Sequence, residues 1–269
     1  MTSKDKTPPA AGTVVDEAKP KYDIQTWKEK MAAVTQQAAA SEAPKGGFLS
    51  FKGGNMTYDD NLIPGNQLDV VVIDFLLENG MFREKYNPAK TASPMCYALG
   101  RIEEDLEPMD GCEEPQSPKC GISGQDGCCP HNEWGSDPDG GRGKACKNTR
   151  RIAIMAADEL AKGPEGIKKA NVIMCKIPVT SIKNFSQFVN QCTKVLETHP
   201  FGVKARLSVK PHPTSLFQVH WTILDKIQGD ETMEALYNKH VSIRQQMFQP
   251  YPANEEAEPA PAKGGKSKF

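Results

Sequence analysis

Nowhere in the 269 residues is there a run of eighteen apolar side chains, so a membrane-spanning helix is not expected. The opening stretch, MTSKDKTPPAAGTVVDEAKPKYD, lacks the apolar core of a secretory signal, which makes a soluble intracellular protein the expectation. Net charge is almost absent too. Thirty-three Lys and Arg against 34 Asp and Glu leave a formal charge of −1, which by itself argues for no polyanionic partner. Catalytic signatures are also missing: there is no HExxH, no GxSxG and no His-x-Glu followed by Pro-Cys-x-x-Cys. His199, His212, His220 and His240 are scattered, and nothing pairs them with a nucleophile. A P-loop is excluded because Ala145 follows Lys144 where Ser or Thr is required. No enzyme is expected.

The near-zero sum hides charge that is sorted along the chain. Between Leu99 and Asp139 eleven residues are acidic and two basic, whereas from Arg142 to Arg151 five of ten are basic and none is acidic. From Asn171 to Lys226 the balance stays positive, seven to two. Such a layout can present a basic face to an anionic partner. The acidic cluster IEEDLEPMDGCEEP falls in a Pro- and Gly-rich stretch and reads as an exposed loop rather than a magnesium site.

Eight cysteines are present, four of them between residues 112 and 129. A chain of this length buries enough core to fold without disulfides, and clustered thiols in a reducing compartment more often bind metal. Zinc takes thiolate and imidazole ligands in a tetrahedron, and the candidates are Cys96, Cys112, Cys120, Cys128, Cys129, His131 and Cys146. Their spacing is irregular and contains no CxxC pair. Cys175 and Cys192 fall on the apolar faces of a strand and a helix and are read as core residues.

Residues 1–45 are expected to be a flexible arm with one amphipathic patch, YDIQTWKEKMAAVTQQAAA, a candidate for self-association, and residues 250–269 a disordered tail. The ordered domain is placed at 46–249. Within it, FLSFKGGNMTY, QLDVVVIDFLLENGMF, RRIAIMAA, NVIMCKIPV, GVKARLSVKPH and LFQVHWTILDKI read as strands, and SIKNFSQFVNQCTKVLETH and DETMEALYNKHVSIRQQMF as helices. Between Gly100 and Gly143 there is no periodicity. A loop of that length inside a compact domain needs something to hold it, and metal would serve. Strands dominate, two helices come late, and strands do not alternate with helices as in a doubly wound sheet. The fold class is therefore a mixed, β-rich α+β protein, with an OB-like five-stranded barrel and a long zinc-stabilised loop at about 96–146.

Cations on a chain anchored by a metal ligand sit at fixed positions and can meet successive phosphates. Arg142, Lys144, Lys147, Arg150 and Arg151 are the candidates, with Lys204, Arg206 and Lys210 extending the track along a later strand pair. Single-stranded nucleic acid also needs rings on which bases stack, and Trp134 lies beside the cations. Phe217 and Trp221 alternate onto one strand face and are expected to share a place in the core.

The run CCPHNEWGSDPDGGRGKACKNTRRIAIM, preceded by YNPAKTASPMCYALG and followed by VIMCKIPVTSIKNFSQFV, resembles phage-type and mobile-element single-stranded DNA-binding proteins. The resemblance covers roughly residues 65–225 and is most specific from Cys129 to Arg151. It implies an oligonucleotide-binding (OB) barrel with a zinc-stabilised insertion, no sequence preference, and a role in replication, recombination or repair. It carries Cys96, Cys129 and Cys146 over as zinc ligands. It expects a cysteine at 126, where Asp126 stands, so Cys120 is the replacement, with Cys128, His131 and Cys112 as alternates. Proteins of this kind often recruit replication or recombination partners through an acidic tail. Here Lys263, Lys266 and Lys268 follow Glu255, Glu256 and Glu258, a departure from that pattern. The expected function is coating of single-stranded DNA. The rivals are a zinc-dependent nucleic-acid enzyme or its subunit, and a zinc-stapled structural or virion-associated protein.

Overall fold

The computed structural model describes residues 31, 48–59, 61–83, 93–113 and 115–251. The chain divides into two compact units, Met1–Ala43 and Pro44–Phe269. In the first, only Met31 is described, and it is helical and exposed. Apart from Met31, the amphipathic patch lies outside the described residues, as does the tail from 252 onward.

The second unit is built on one mixed sheet of nine strands curled into a half-barrel. The strands are β1 (Phe48–Lys52), β2 (Asn55–Tyr58), β3 (Asn61–Leu62), β4 (Gln67–Met81), β5 (Cys96–Gly100), β6 (Lys147–Ala156), β7 (Ile173–Ile177), β8 (Val203–His212) and β9 (Leu216–Lys226). Their order is β3-β2-β1-β7-β6-β4-β8-β9, with β5 on the far half of β4. Pairing is antiparallel except where β1 meets β7. Three α-helices are described: α1 (Gly163–Lys169), α2 (Ile182–Asn190) and α3 (Asp230–Ile243). A five-stranded barrel was expected and nine strands are found among the described residues: FLSFKGGNMTY, read as strand, is the β1–β2 hairpin beyond the five, and the short β3 and β5 were not read from the sequence. Two helices were expected; α1 was missed because seven residues opening on Gly-Pro are too short to show a helical period.

β4 organises the unit. Its run VVVIDFLL is apolar on both faces because both faces are covered. Val70 and Val72 enter one core with Ile152, Ile154, Cys175, Phe185, Phe188, Cys192, Leu207 and Trp221; Val71, Ile73 and Leu76 enter a second with Ala153, Met155, Ile167, Leu236 and Met247. Near Ile73 the register with β6 shifts, the bulge that lets so long a strand bend. Trp221 is buried against Phe185 and Phe188, and Phe217 packs half-buried against the same core. The β1–β2 turn is Gly53-Gly54 with φ of 59° and 82°, which a two-residue hairpin loop requires and glycine permits.

β9 ends the sheet, and its free edge is capped by side chains. Ser181 Oγ accepts from the Val219 N–H at 2.9 Å and Asn184 Nδ2 donates to the Val219 carbonyl at 3.0 Å. Both caps come from the start of α2 and its preceding turn, so packing of that helix also blunts the edge against pairing with another chain.

Candidate nucleic-acid interface

The connection from β5 to β6 begins and returns at the same end of β4. Cys96 pairs opposite Met81 on one side, and Lys147 pairs opposite Gly80 on the other, which brings Cys146 close to Cys96. Between them the chain folds on its own hydrogen bonds: Cys120 N–H to Leu106 O at 2.9 Å, Cys129 N–H to Cys120 O at 3.0 Å and Cys146 N–H to His131 O at 2.8 Å. Cys96, Cys120, Cys129 and Cys146 consequently line one cavity of about 20 Å³, together with His131, Asn79 and Asn132. Cys112 and Cys128 do not line it. Cys112 sits behind Cys96, its sulfur 3.1 Å from the Tyr97 N–H, and Cys128 turns towards Glu133.

Burial pushes the Cys146 thiol up to about 12, and Cys120, Cys96 and Cys129 push it the same way. Cys96 is raised to about 12 by burial, then by Cys112, Cys120 and Cys129. The four sulfurs thus feel one another electrostatically. Among the described residues, no three His, Cys, Asp or Glu side chains are drawn together into a chelating group. Four thiols are a donor set that zinc accepts, but the described side chains are not drawn closely enough together to chelate an ion.

The basic residues do not form one continuous track. Residues alternate across a strand, so consecutive arginines on β6 face opposite ways. Arg150 lies on the side of Ile152 and Ile154, half-buried and donating to the Thr149 carbonyl at 2.9 Å; burial lowers its pKa, with Glu103 opposing. Arg151 lies on the other side and corrects the expectation of a phosphate ligand. Its side chain is 5% exposed, paired with Glu78 at 3.0 Å, and donates to the Met247 and Gln249 carbonyls at 3.1 and 2.6 Å. Lys176 also reaches Glu78 at 2.5 Å, and the Tyr251 hydroxyl donates to it at 2.5 Å. Burial favours the protonated form of Glu78, but Lys176 and Arg151 outweigh it and hold the carboxyl below its ordinary value.

Lys147 is paired with Asp137 at 3.1 Å. Arg206 grips Asp69 with two bonds of 2.7 and 3.0 Å, and Lys204 stands 3.8 Å from the same carboxylate. Arg142 and Lys210 are exposed and make no ion pair among the described residues. Trp134 is 71% exposed, and the Lys144 ammonium stands 5.1 Å from its ring centre. The finger carrying both is closed by the Gly135 N–H to Gly143 O bond at 2.9 Å and by Ser136 Oγ, which accepts from the Ala145 N–H.

No family model, no curated protein and no solved structure matches this chain.

Three asparagines that sequence reading passed over sit at the centre of the site. Asn148 Nδ2 donates to Asn79 and Asn132, and the Lys144 ammonium donates to Asn132 and Asn148. Their separation along the chain, with Asn79 and Asn148 69 residues apart, left no local signal. Lys210, His212 and His220 lie together on the β8–β9 ribbon, where burial first, then Lys210 and His212, lower the His220 pKa and disfavour its charged form. Among the described residues no helix is long and apolar enough to cross a membrane.

Proposed function

We propose that this chain binds single-stranded DNA without sequence preference, stacking bases on Trp134 and meeting phosphates with Lys144, Arg142 and Lys210. The observation that carries the reading is the Trp134–Lys144 pair. A tryptophan 71% exposed on a hydrogen-bonded finger, with a lysine ammonium 5.1 Å from its ring, joins the stacking platform and the cation that single-strand recognition uses. The topology supports it. Among β4, β6, β7, β8 and β9 the spatial order is β7-β6-β4-β8-β9, with α2 between the third and fourth in sequence, as in a five-stranded OB barrel. On that assignment the cysteine loop joins strands one and two and the His212–Leu216 turn joins strands four and five, the two loops with which such barrels hold oligonucleotides. Cys96, Cys120, Cys129 and Cys146 would hold one zinc ion, whose part is to pin the loop rather than to do chemistry.

Titration of the full chain with fluorescent dT oligonucleotide and with duplex of equal length tests this. Expected is tighter binding of the single strand, and a loss of roughly tenfold or more in Trp134→Ala, since base–aromatic stacking contributes about 1–3 kcal/mol per base. Equal affinity for duplex, or an unchanged affinity in a folded Trp134→Ala variant, overturns the reading.

A further inference from the structure

Lys144 differs from Lys147, three residues on, in what holds it. Lys147 is neutralised by a carboxylate, whereas the Lys144 ammonium donates to two neutral amides, Asn132 Oδ1 at 3.2 Å and Asn148 Oδ1 at 2.9 Å. An ammonium has three donors, so the two amides leave one over and do not cancel the charge. Glu133 is near enough to feel Lys144, but its carboxylate is engaged by the Gly124 N–H, Ser123 Oγ and the Cys128 thiol.

The amides are themselves fixed. Asn132 is 3% exposed, and its Nδ2 donates to the Cys120 and Gly121 carbonyls at 3.3 and 3.0 Å. Asn148 Nδ2 donates to Asn79 Oδ1 at 2.5 Å and to Asn132 Oδ1 at 3.0 Å. Asn79, 4% exposed, also hydrogen-bonds the Cys120 thiol. A satisfied network of this kind holds its members in one arrangement, and it runs unbroken from Cys120 to the lysine.

We propose that Asn132 and Asn148, backed by Asn79, are positioning residues for single-stranded DNA: they hold Lys144 beside the Trp134 ring so that a backbone phosphate reaches its third donor while the neighbouring base stacks on the indole. The inference rests on the single-strand reading above and adds the reason this lysine, rather than its neighbours, makes the ordered contact. It also explains a chemical choice. Replacing either asparagine by aspartate would present a carboxylate to the ammonium and cancel the charge that the phosphate needs.

The experiment is a double-mutant cycle on dT binding by the full chain, with Asn148→Ala and Lys144→Gln, and Asn132→Ala as the second arm. Alone, each asparagine variant is expected to weaken binding roughly three- to tenfold, within the coupling range of groups sharing one network; in the Lys144→Gln background it should change affinity by less than about twofold. A wild-type lysine-ammonium NMR signal from Lys144, slowed in exchange by its two acceptors, should broaden away in Asn148→Ala without DNA present. Asn132→Ala also frees two carbonyls beside Cys120, so if that variant fails to fold, Asn148→Ala decides. Equal losses with and without Lys144 overturn the positioning role and leave the DNA reading intact. A wild-type chain with the slowed ammonium signal and no affinity for dT overturns the DNA reading, and the proposal with it.

Discussion

At the scale of single residues, what a cation is paired with decides what it can do. Five basic residues cluster between 142 and 151, yet their surroundings divide them. Arg142 stays exposed, Lys144 is held by amides, Lys147 by Asp137, Arg150 is half-buried and Arg151 is locked under the C-terminal segment. Arg151→Gln is therefore expected to act on stability and not on DNA. Glu78 is 0% exposed and would keep Lys176 at 2.5 Å, so losing Arg151 is expected to cost less than the about 3–5 kcal/mol of a buried charge left wholly unpaired, while the Met247 and Gln249 carbonyls also lose their donor. The melting temperature should drop while the salt dependence of dT binding stays at the wild-type slope. A flattened slope in a stable Arg151→Gln protein would return this residue to the phosphate surface.

At the scale of elements, the cysteine loop is the part whose order depends most on something other than an apolar core. Among the described residues its own buried cluster is small, Ala98, Leu106 and Cys120 with Leu77 packed on it, while Met109 and Cys112 pack on the second core. Cys129→Ser or Cys146→Ser is expected to release zinc from the purified protein and loosen residues 96–146, read by elemental analysis and hydrogen exchange. Cys192→Ser, 0% exposed in the first core beside α2, should leave zinc content unchanged. Full occupancy in both loop variants would remove those two as ligands. Changing Arg142, Lys144 and Lys147 together to Gln should flatten the plot of log affinity against log salt by about 1.4, two contacts of about 0.7 each, because Lys147 is already neutralised. A change near 2 would mean that the Asp137 pair opens on binding; no change would confine the loop to a structural part.

At the scale of the whole molecule, the two cores share one sheet, and buried ionisable groups tie its stability to pH. His199, stacked near Phe75, is pushed down to about 4, by burial first and then by His240. The unfolded chain takes up this proton near 6.5, so stability is lost as pH falls from about 6.5 towards 4. His220, lowered in the same direction, adds to the same window. Glu78, held below its ordinary 4.5, adds a second loss only at lower pH, where the unfolded carboxyl protonates first. Melting curves should show both steps, and His199→Gln should flatten the first while leaving the second. A melting temperature constant from pH 6.5 to 4.5 would contradict the burial of His199.

The sequence alone determined the long strands and the longer helices, because a period of two or of 3.6 is written locally and burial follows it; the short β3 and β5 carry no such period. Val70 to Leu77 could be recognised as part of a strand, and Cys175 and Cys192 as core, from their neighbours; that both faces of the strand are covered is seen only in the fold. The sequence also offered seven candidate ligands, and of these Cys96, Cys120, Cys129, His131 and Cys146 line one cavity. The tertiary structure decided which charges are neutralised. Glu78 meets Arg151 across 73 residues, Asp69 meets Arg206 across 137, and Asn79 meets Asn148 across 69. Charge and amide pairing depend on approach within a few ångströms, and such approach is set by strand register and loop closure rather than by spacing along the chain.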